Sequence, residues 1–235
     1  MMGFFYSGNY WLYMIPAMLI VLLANLWVNA TYKKWGRVEN SEGINGAEAA
    51  RRLIERSGLY NISVEGTGRQ LGDHYDPRTG TLRLSPGVAQ ERSVASIAIA
   101  AHEIGHALQH QEGYLPLRLR TAIVPLANTG STLGWILILV GLFLRMTQLA
   151  WLGVFAFSLG AIFTLATLPV ELNASKRAKA LLGQAGIVGS GKDQRGVNAM
   201  LNAAAFTYVA ALAASILQLL YYVSLVSGMG GRRRR

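Results

Sequence analysis

Four stretches of the chain run without a charged residue for long enough to cross a bilayer, which takes about 20 apolar residues. They cover 10–30, 121–144, 149–170 and 203–226. The first has no basic residue before it and no small-residue cleavage site after a short apolar core. It therefore reads as an anchor, not as a cleavable signal. Tyr10, Trp11, Tyr13, Trp27, Tyr32 and Trp35 fall where interfacial aromatic belts belong. Only Arg145, Met146, Thr147 and Gln148 separate the second stretch from the third, so these two form a tight hairpin.

The polar region between the first two stretches follows a different rhythm. In 43–57, Ala47, Ala50, Leu53 and Ile54 recur at helical spacing, and Gly58 is a natural stop. Residues 61–65 are strand-like, and the turn-rich GDHYDPRTG follows with Asp76-Pro77 and Thr79-Gly80 as breakers. TLRLS at 81–85 alternates as a short strand does. Ser85 then suits an N-cap and Pro86 a first helical position, predicting one long helix to Gln111 that ends at Gly113. So small a region has little core of its own. It is expected to lean on the membrane hairpin and on a loop at 171–200.

Composition agrees with a membrane protein. Charged residues are 14%, against about 25% in soluble domains, hydrophobic residues are 52%, and mean hydropathy is +0.31. That excludes an ordinary cytosolic enzyme, a disordered chain and a collagen-like one. The absence of cysteine excludes a disulfide scaffold, a thiolate zinc site and a cysteine nucleophile. The net charge of +10 does not point to nucleic acid, because the excess flanks apolar stretches. Lys33, Lys34 and Arg37 follow the first stretch, so its N-terminus is expected outside and 31–120 in the cytoplasm. Lys176, Arg177, Lys179, Lys192 and Arg195 suit a cytoplasmic 171–200. The four arginines at 232–235 then fall outside, against the positive-inside rule; a re-entrant last segment is the alternative.

On the long helix stands His102-Glu103-Ile104-Gly105-His106, an HExxH motif. Positions i and i+4 share a helix face, so two imidazoles converge on one point. Neutral imidazole binds zinc, and a glutamate next to the first ligand reaches the metal's water as general base. The preceding VASIAIAA is all small or apolar, predicting a buried helix in which a bare carboxylate is costly. One catalytic Zn2+ follows, and a catalytic zinc takes three protein ligands.

The third ligand must come from elsewhere. His110 lies two turns, roughly 12 Å, along the axis from His102 and cannot close on the ion. His74 could reach it only by tertiary approach. Glu112 is too far along the same helix, and Asp193 reads as exposed in the glycine-rich GSGKDQRG. Glu171 ends an otherwise uncharged stretch, and a carboxylate at that depth marks a functional site. Its competing reading is an interfacial glutamate paired with Lys176 or Arg177. We choose Glu171, giving a His2Glu set.

AAHEIGHALQHQEGYLPLRLR (100–120), GDHYDP (72–77) and LPVELNASKRAKALL (168–182) resemble the YugP-like membrane-bound neutral zinc metallopeptidases. The resemblance covers nearly the whole chain. It implies a mainly α membrane protein with four transmembrane helices and a small α+β zincin-like (minigluzincin-like) cytoplasmic catalytic domain. His102, His106 and Glu171 would hold zinc and Glu103 would be the base. It also implies a multi-pass protein of a prokaryotic plasma membrane. Such peptidases often carry an Asp or a small residue four after the ligand Glu; Ser175 stands there, with Asn173 nearby.

The expected organisation is an anchor at 1–32, a catalytic domain at 33–120 and a transmembrane hairpin at 121–170. A cytoplasmic segment with the third ligand follows at 171–200, then a last transmembrane helix and arginine tail at 201–235. DHYDP is either plain turn chemistry or brings Asp73, His74 or Tyr75 beside the cleft as supporting or oxyanion groups. Tyr208 is another oxyanion candidate. Strand 81–85 could take a peptide substrate as an added strand. The leading function is a membrane zinc endopeptidase. The alternative is a zinc-stabilised binding or assembly protein without proteolytic activity. A transporter is disfavoured because the spans carry almost no ionisable residues. The small residues of the last span permit close packing within the chain, in a homo-oligomer or against a membrane partner protein.

Overall fold

The computed structural model describes residues 8–69, 72–189 and 191–231. The arginine tail, on which the outside placement of the C-terminus turned, lies outside these residues. In order the elements are α1 (Gly8–Trp35), α2 (Gly46–Arg56), β1 (Ser63–Gly66), β2 (His74–Asp76), β3 (Thr81–Leu84) and α3 (Pro86–Ala89). Then come α4 (Val94–Gln111), α5 (Leu115–Phe143), α6 (Thr147–Gln184) and α7 (Gly191–Gly231). The protein is mainly helical, and α1, α5, α6 and α7 are each long and apolar enough to cross a membrane. The chain divides into two compact units.

One unit holds the described parts of Met1–Ala24, Arg118–Leu168 and Thr207–Arg235. Large apolar side chains such as Leu12, Met18, Leu23, Phe155 and Leu165 face outward, as lipid-facing residues do. With lipid as solvent, burying apolar surface drives little, and helices associate through close backbone packing. α5 and α6 do this with glycine. A Cβ on Gly134 would come within 2.5 Å of the Phe157 nitrogen, and one on Gly153 within 2.6 Å of the Ile138 nitrogen. The turn between them closes with the Met146 N–H donating to the Gly141 carbonyl at 2.8 Å and Arg145 at φ 55°. That left-handed conformation is costly for a residue with a Cβ, and the hydrogen bonds of the turn offset it.

The other unit holds Asn25–Leu117 and Pro169–Phe206. Its sheet has the order β1-β3-β2, with β1 parallel to β3 and β2 antiparallel to it. α4 lies at the centre. Val94, Ala95, Ile97, Ala98, Ala100, Ala101 and Ile104 are fully buried. They join a core with Ala49, Ala50 and Leu53 of α2, Leu82 and Leu84 of β3, and Ala178 and Leu182 of α6.

Several sequence expectations need correction. The long helix from Pro86 is two helices. Ser93 breaks it, because its side chain caps α4 by accepting from the Ser96 N–H at 3.1 Å, while the Val94 N–H donates to Val38. The turn-rich GDHYDPRTG contains β2, paired as Tyr75↔Leu82; the turn itself is confined to the residues up to Gly80, at φ 64°. β3 is therefore the central strand with both edges occupied, so a substrate cannot be added to it. The segment 171–200 is no loop. Its Ala-, Leu- and Lys-rich sequence continues α6 to Gln184, and α7 begins at Gly191. Asp193 is fully buried rather than exposed and accepts the Ser41 N–H at 2.8 Å.

Candidate metal centre

α4 puts His102 and His106 one turn apart, their ring centroids 4.8 Å from each other. α6 brings Glu171 to them. The approach is close because Gly105 has no side chain: a Cβ there would sit 2.6 Å from the Ala174 carbonyl oxygen. Ala174 and Ala178 keep the facing side of α6 equally small and are fully buried.

The carboxylate oxygen Oε2 of Glu171 lies 3.3 Å from Nε2 of His102 and 3.4 Å from Nε2 of His106. One donor atom from each of the three residues lies within 4.8 Å of the other two. A tetrahedral ion with bonds of about 2.0–2.1 Å sets its ligand atoms roughly 3.3–3.4 Å apart. Both carboxylate–imidazole edges already have that length, so the donor set fits zinc. Arg177 makes a bidentate pair with Glu112 at 2.7 Å, and Glu171 is 2% exposed.

The outer nitrogens of both rings have partners. Nδ1 of His102 lies 3.3 Å from the Ser175 hydroxyl, and Nδ1 of His106 lies 3.1 Å from Oε1 of Gln109. A hydrogen on each Nδ1 leaves each Nε2 as a lone pair facing Glu171. His106 is raised above the ordinary imidazole range: burial opposes its charge, but the Glu171 hydrogen bond and the Glu103 and Glu171 charges outweigh it.

Glu103 does not join the three. Its Oε2 accepts the Tyr75 N–H at 3.1 Å, which ties α4 to β2. Burial pushes its carboxyl up and the Glu171 charge adds to that, while the two imidazoles and the Tyr75 amide pull it down. The other sequence candidates fall in different places. Asp73 accepts from the N–H and hydroxyl of Ser85 and so braces the start of α3. His74 is exposed, its Nδ1 2.7 Å from the Gly72 carbonyl. The Tyr75 hydroxyl reaches Nδ1 of His110 at 3.1 Å. Ser175 touches His102 directly, while Asn173 reaches His106 through Gln109. Tyr208 belongs to the other unit. Gln109 was missed, although an amide three residues after His106 on an otherwise apolar buried face is a usable signal.

Over residues 10–227 the sequence matches the family described as "Putative neutral zinc metallopeptidase". The chain belongs to this zinc metallopeptidase family. It is also 43% identical over 211 residues to a protein of Bacillus subtilis (strain 168) named "Putative membrane protease YugP", a match covering 90% of this chain and 93% of that protein. No solved structure matches the chain. As a zinc metallopeptidase the protein is a hydrolase with Zn2+ as its metal, and His102, His106 and Glu171 are placed to hold it. Its four apolar helices agree with the membrane protease to which it is similar.

Proposed function

We propose that this metallopeptidase is an integral-membrane endopeptidase whose zinc is held by His102, His106 and Glu171, with Glu103 as general base. The observation that carries this reading is the convergence of three donor atoms within 4.8 Å of one another, with the Glu171 carboxylate 3.3 and 3.4 Å from the two imidazoles, beside the half-buried Glu103 carboxyl. Bound zinc supplies Lewis acidity, polarising a peptide carbonyl and acidifying water. Glu103 takes a proton from the attacking water and gives it to the leaving amine nitrogen as the carbon–nitrogen bond breaks. The catalytic domain is zincin-like, built from 33–120 together with 171–200. The anchor at 1–32, the hairpin at 121–170 and the last helix with its tail at 201–235 fix it at the plasma membrane, with the catalytic side in the cytoplasm.

The substrate adds as a strand, but at β2. That strand ends the sheet order, and Tyr75 donates its N–H to Glu103 rather than to β3. In an extended strand the N–H and C=O of one residue point the same way. The Tyr75 carbonyl is therefore offered to a substrate N–H on the same side as the base. His74 and Tyr75 remain the oxyanion candidates.

Glu103→Gln should keep stoichiometric zinc and lose hydrolysis of a peptide library by about 10²–10⁴-fold or more. Wild-type turnover in that variant would remove the mechanism. Accessibility labelling of single cysteines introduced at Ser57 and Arg235 tests the topology. Protection of the Ser57 site from an outside reagent supports a cytoplasmic catalytic domain, and ready labelling refutes it.

A further inference from the structure

Gln109 stands in a run of hydrogen bonds whose direction is set at its far end. We propose that Gln109 and, through it, Arg177 are positioning residues that fix the tautomer of His106. This inference rests on the reading of His106 as a zinc ligand.

A guanidinium donates, never accepts, and does not lose its proton. Nε of Arg177 donates to Oδ1 of Asn173 at 2.7 Å, so the Asn173 amide must present its oxygen there. The same oxygen accepts from Nε2 of Gln109 at 2.9 Å. The Val170 carbonyl, which can only accept, takes another hydrogen from that nitrogen at 2.8 Å. With both amino hydrogens committed, Gln109 can face His106 only with Oε1, which it does at 3.1 Å. An amide oxygen only accepts, so Nδ1 of His106 carries the hydrogen. Nε2 of the neutral ring is then the lone pair, pointed at Glu171 from 3.4 Å.

Reversing any link would set donor against donor or acceptor against acceptor. Gln109 is fully buried, where no water can repair the mismatch. The source of the direction is itself held. Both terminal nitrogens of Arg177 donate to Glu112 at 2.7 Å, and its guanidinium carbon lies 5.8 Å from the Tyr114 ring centroid. His102 differs in kind. Its outer nitrogen meets the Ser175 hydroxyl, which can donate or accept and so imposes no tautomer. The directional constraint reaches one imidazole of the pair, and Arg177, a side chain outside the metal site, sets it together with the Val170 carbonyl.

The test uses the full chain in detergent, with zinc dissociation constants from chelator competition and ¹⁵N spectra of histidine-labelled, zinc-loaded protein. The wild type should show a His106 Nδ1–H protected from solvent exchange. Gln109→Met should lose that signal and bind zinc about 10–100-fold more weakly, the usual cost of removing a partner of a ligand histidine. Arg177→Met, near the surface, should fold and shift both readouts in the same direction by less. Arg177→Lys still only donates and should stay close to wild type. Wild-type zinc affinity with a protected Nδ1–H in both Met variants would overturn the inference while leaving the zinc site standing. A wild type that binds no zinc would instead overturn the functional reading beneath it.

Discussion

The two units use one packing device for different ends. In the membrane unit, Gly134 and Gly153 let α5 and α6 approach until a Cβ would strike backbone. The neighbours of that seam are apolar, Ile138, Ala150 and Val154 among them, and closeness itself holds the pair. In the other unit, Gly105 lets α4 approach Ala174 in the same way. Polar groups flank that contact on both sides: Ser175 and His102, then Gln109, Asn173 and His106. There the approach brings donor atoms of two helices into bonding reach. A tight seam in lipid supplies cohesion, whereas a tight seam in a polar core also sets chemistry.

Substitutions at the two seams should therefore separate stability from metal binding. Gly105→Leu must push α6 from α4, and the zinc constant should weaken by about 100-fold or more as Glu171 leaves both imidazoles. Gly134→Leu should cost about 1–3 kcal/mol of stability through overpacking, with zinc still stoichiometric in the folded fraction. Equal zinc loss in both variants would erase the distinction. Ser175→Ala, which removes the partner of His102 without changing the backbone, should weaken zinc by about tenfold, at the lower end for such partners.

Acidity gives a subtler separation. The folded-state pKa of His106 is raised. In the metal-free protein the ring contributes stability that is complete below the unfolded imidazole value and disappears as pH rises through the higher folded value. Zinc must displace that proton, so its affinity should climb over the same window. Thermal melts across that range should show the metal-free protein weakening and the increment from zinc growing. A flat increment would contradict the His106 assignment. The smallest effect belongs to neither seam. Glu48→Ala breaks an exposed i,i+4 pair with Arg52, half open to solvent, and should change stability by about 0.5 kcal/mol or less, leaving zinc untouched.

What could be read beforehand was whatever local spacing encodes. His102 and His106 are four apart on a helix, Glu103 follows the first, and Glu171 ends an uncharged run; each position carried its own meaning in the sequence. The helical stops at Gly58 and Gly113 fell where their positive φ values require. What escaped depends on partners distant in the chain. Ser93 starts α4 afresh after α3 has stopped at Ala89, with help from Val38 and Asn40. Asp193 is buried because the Ser41 amide comes to it from the far end of the unit's sequence. β2 is three polar residues that become a strand only against β3. The partners that give Gln109 its role, Val170 and Asn173, come from α6.

Metal analysis of the purified chain beside Glu171→Ala, with bond lengths from zinc X-ray absorption, bears on the centre most directly. One zinc per chain, with nitrogen and oxygen neighbours at about 2.0–2.2 Å in the wild type and sharply reduced occupancy in the variant, is the expected result. A wild-type chain without zinc, or a variant that keeps the ion in an unchanged shell, would contradict it.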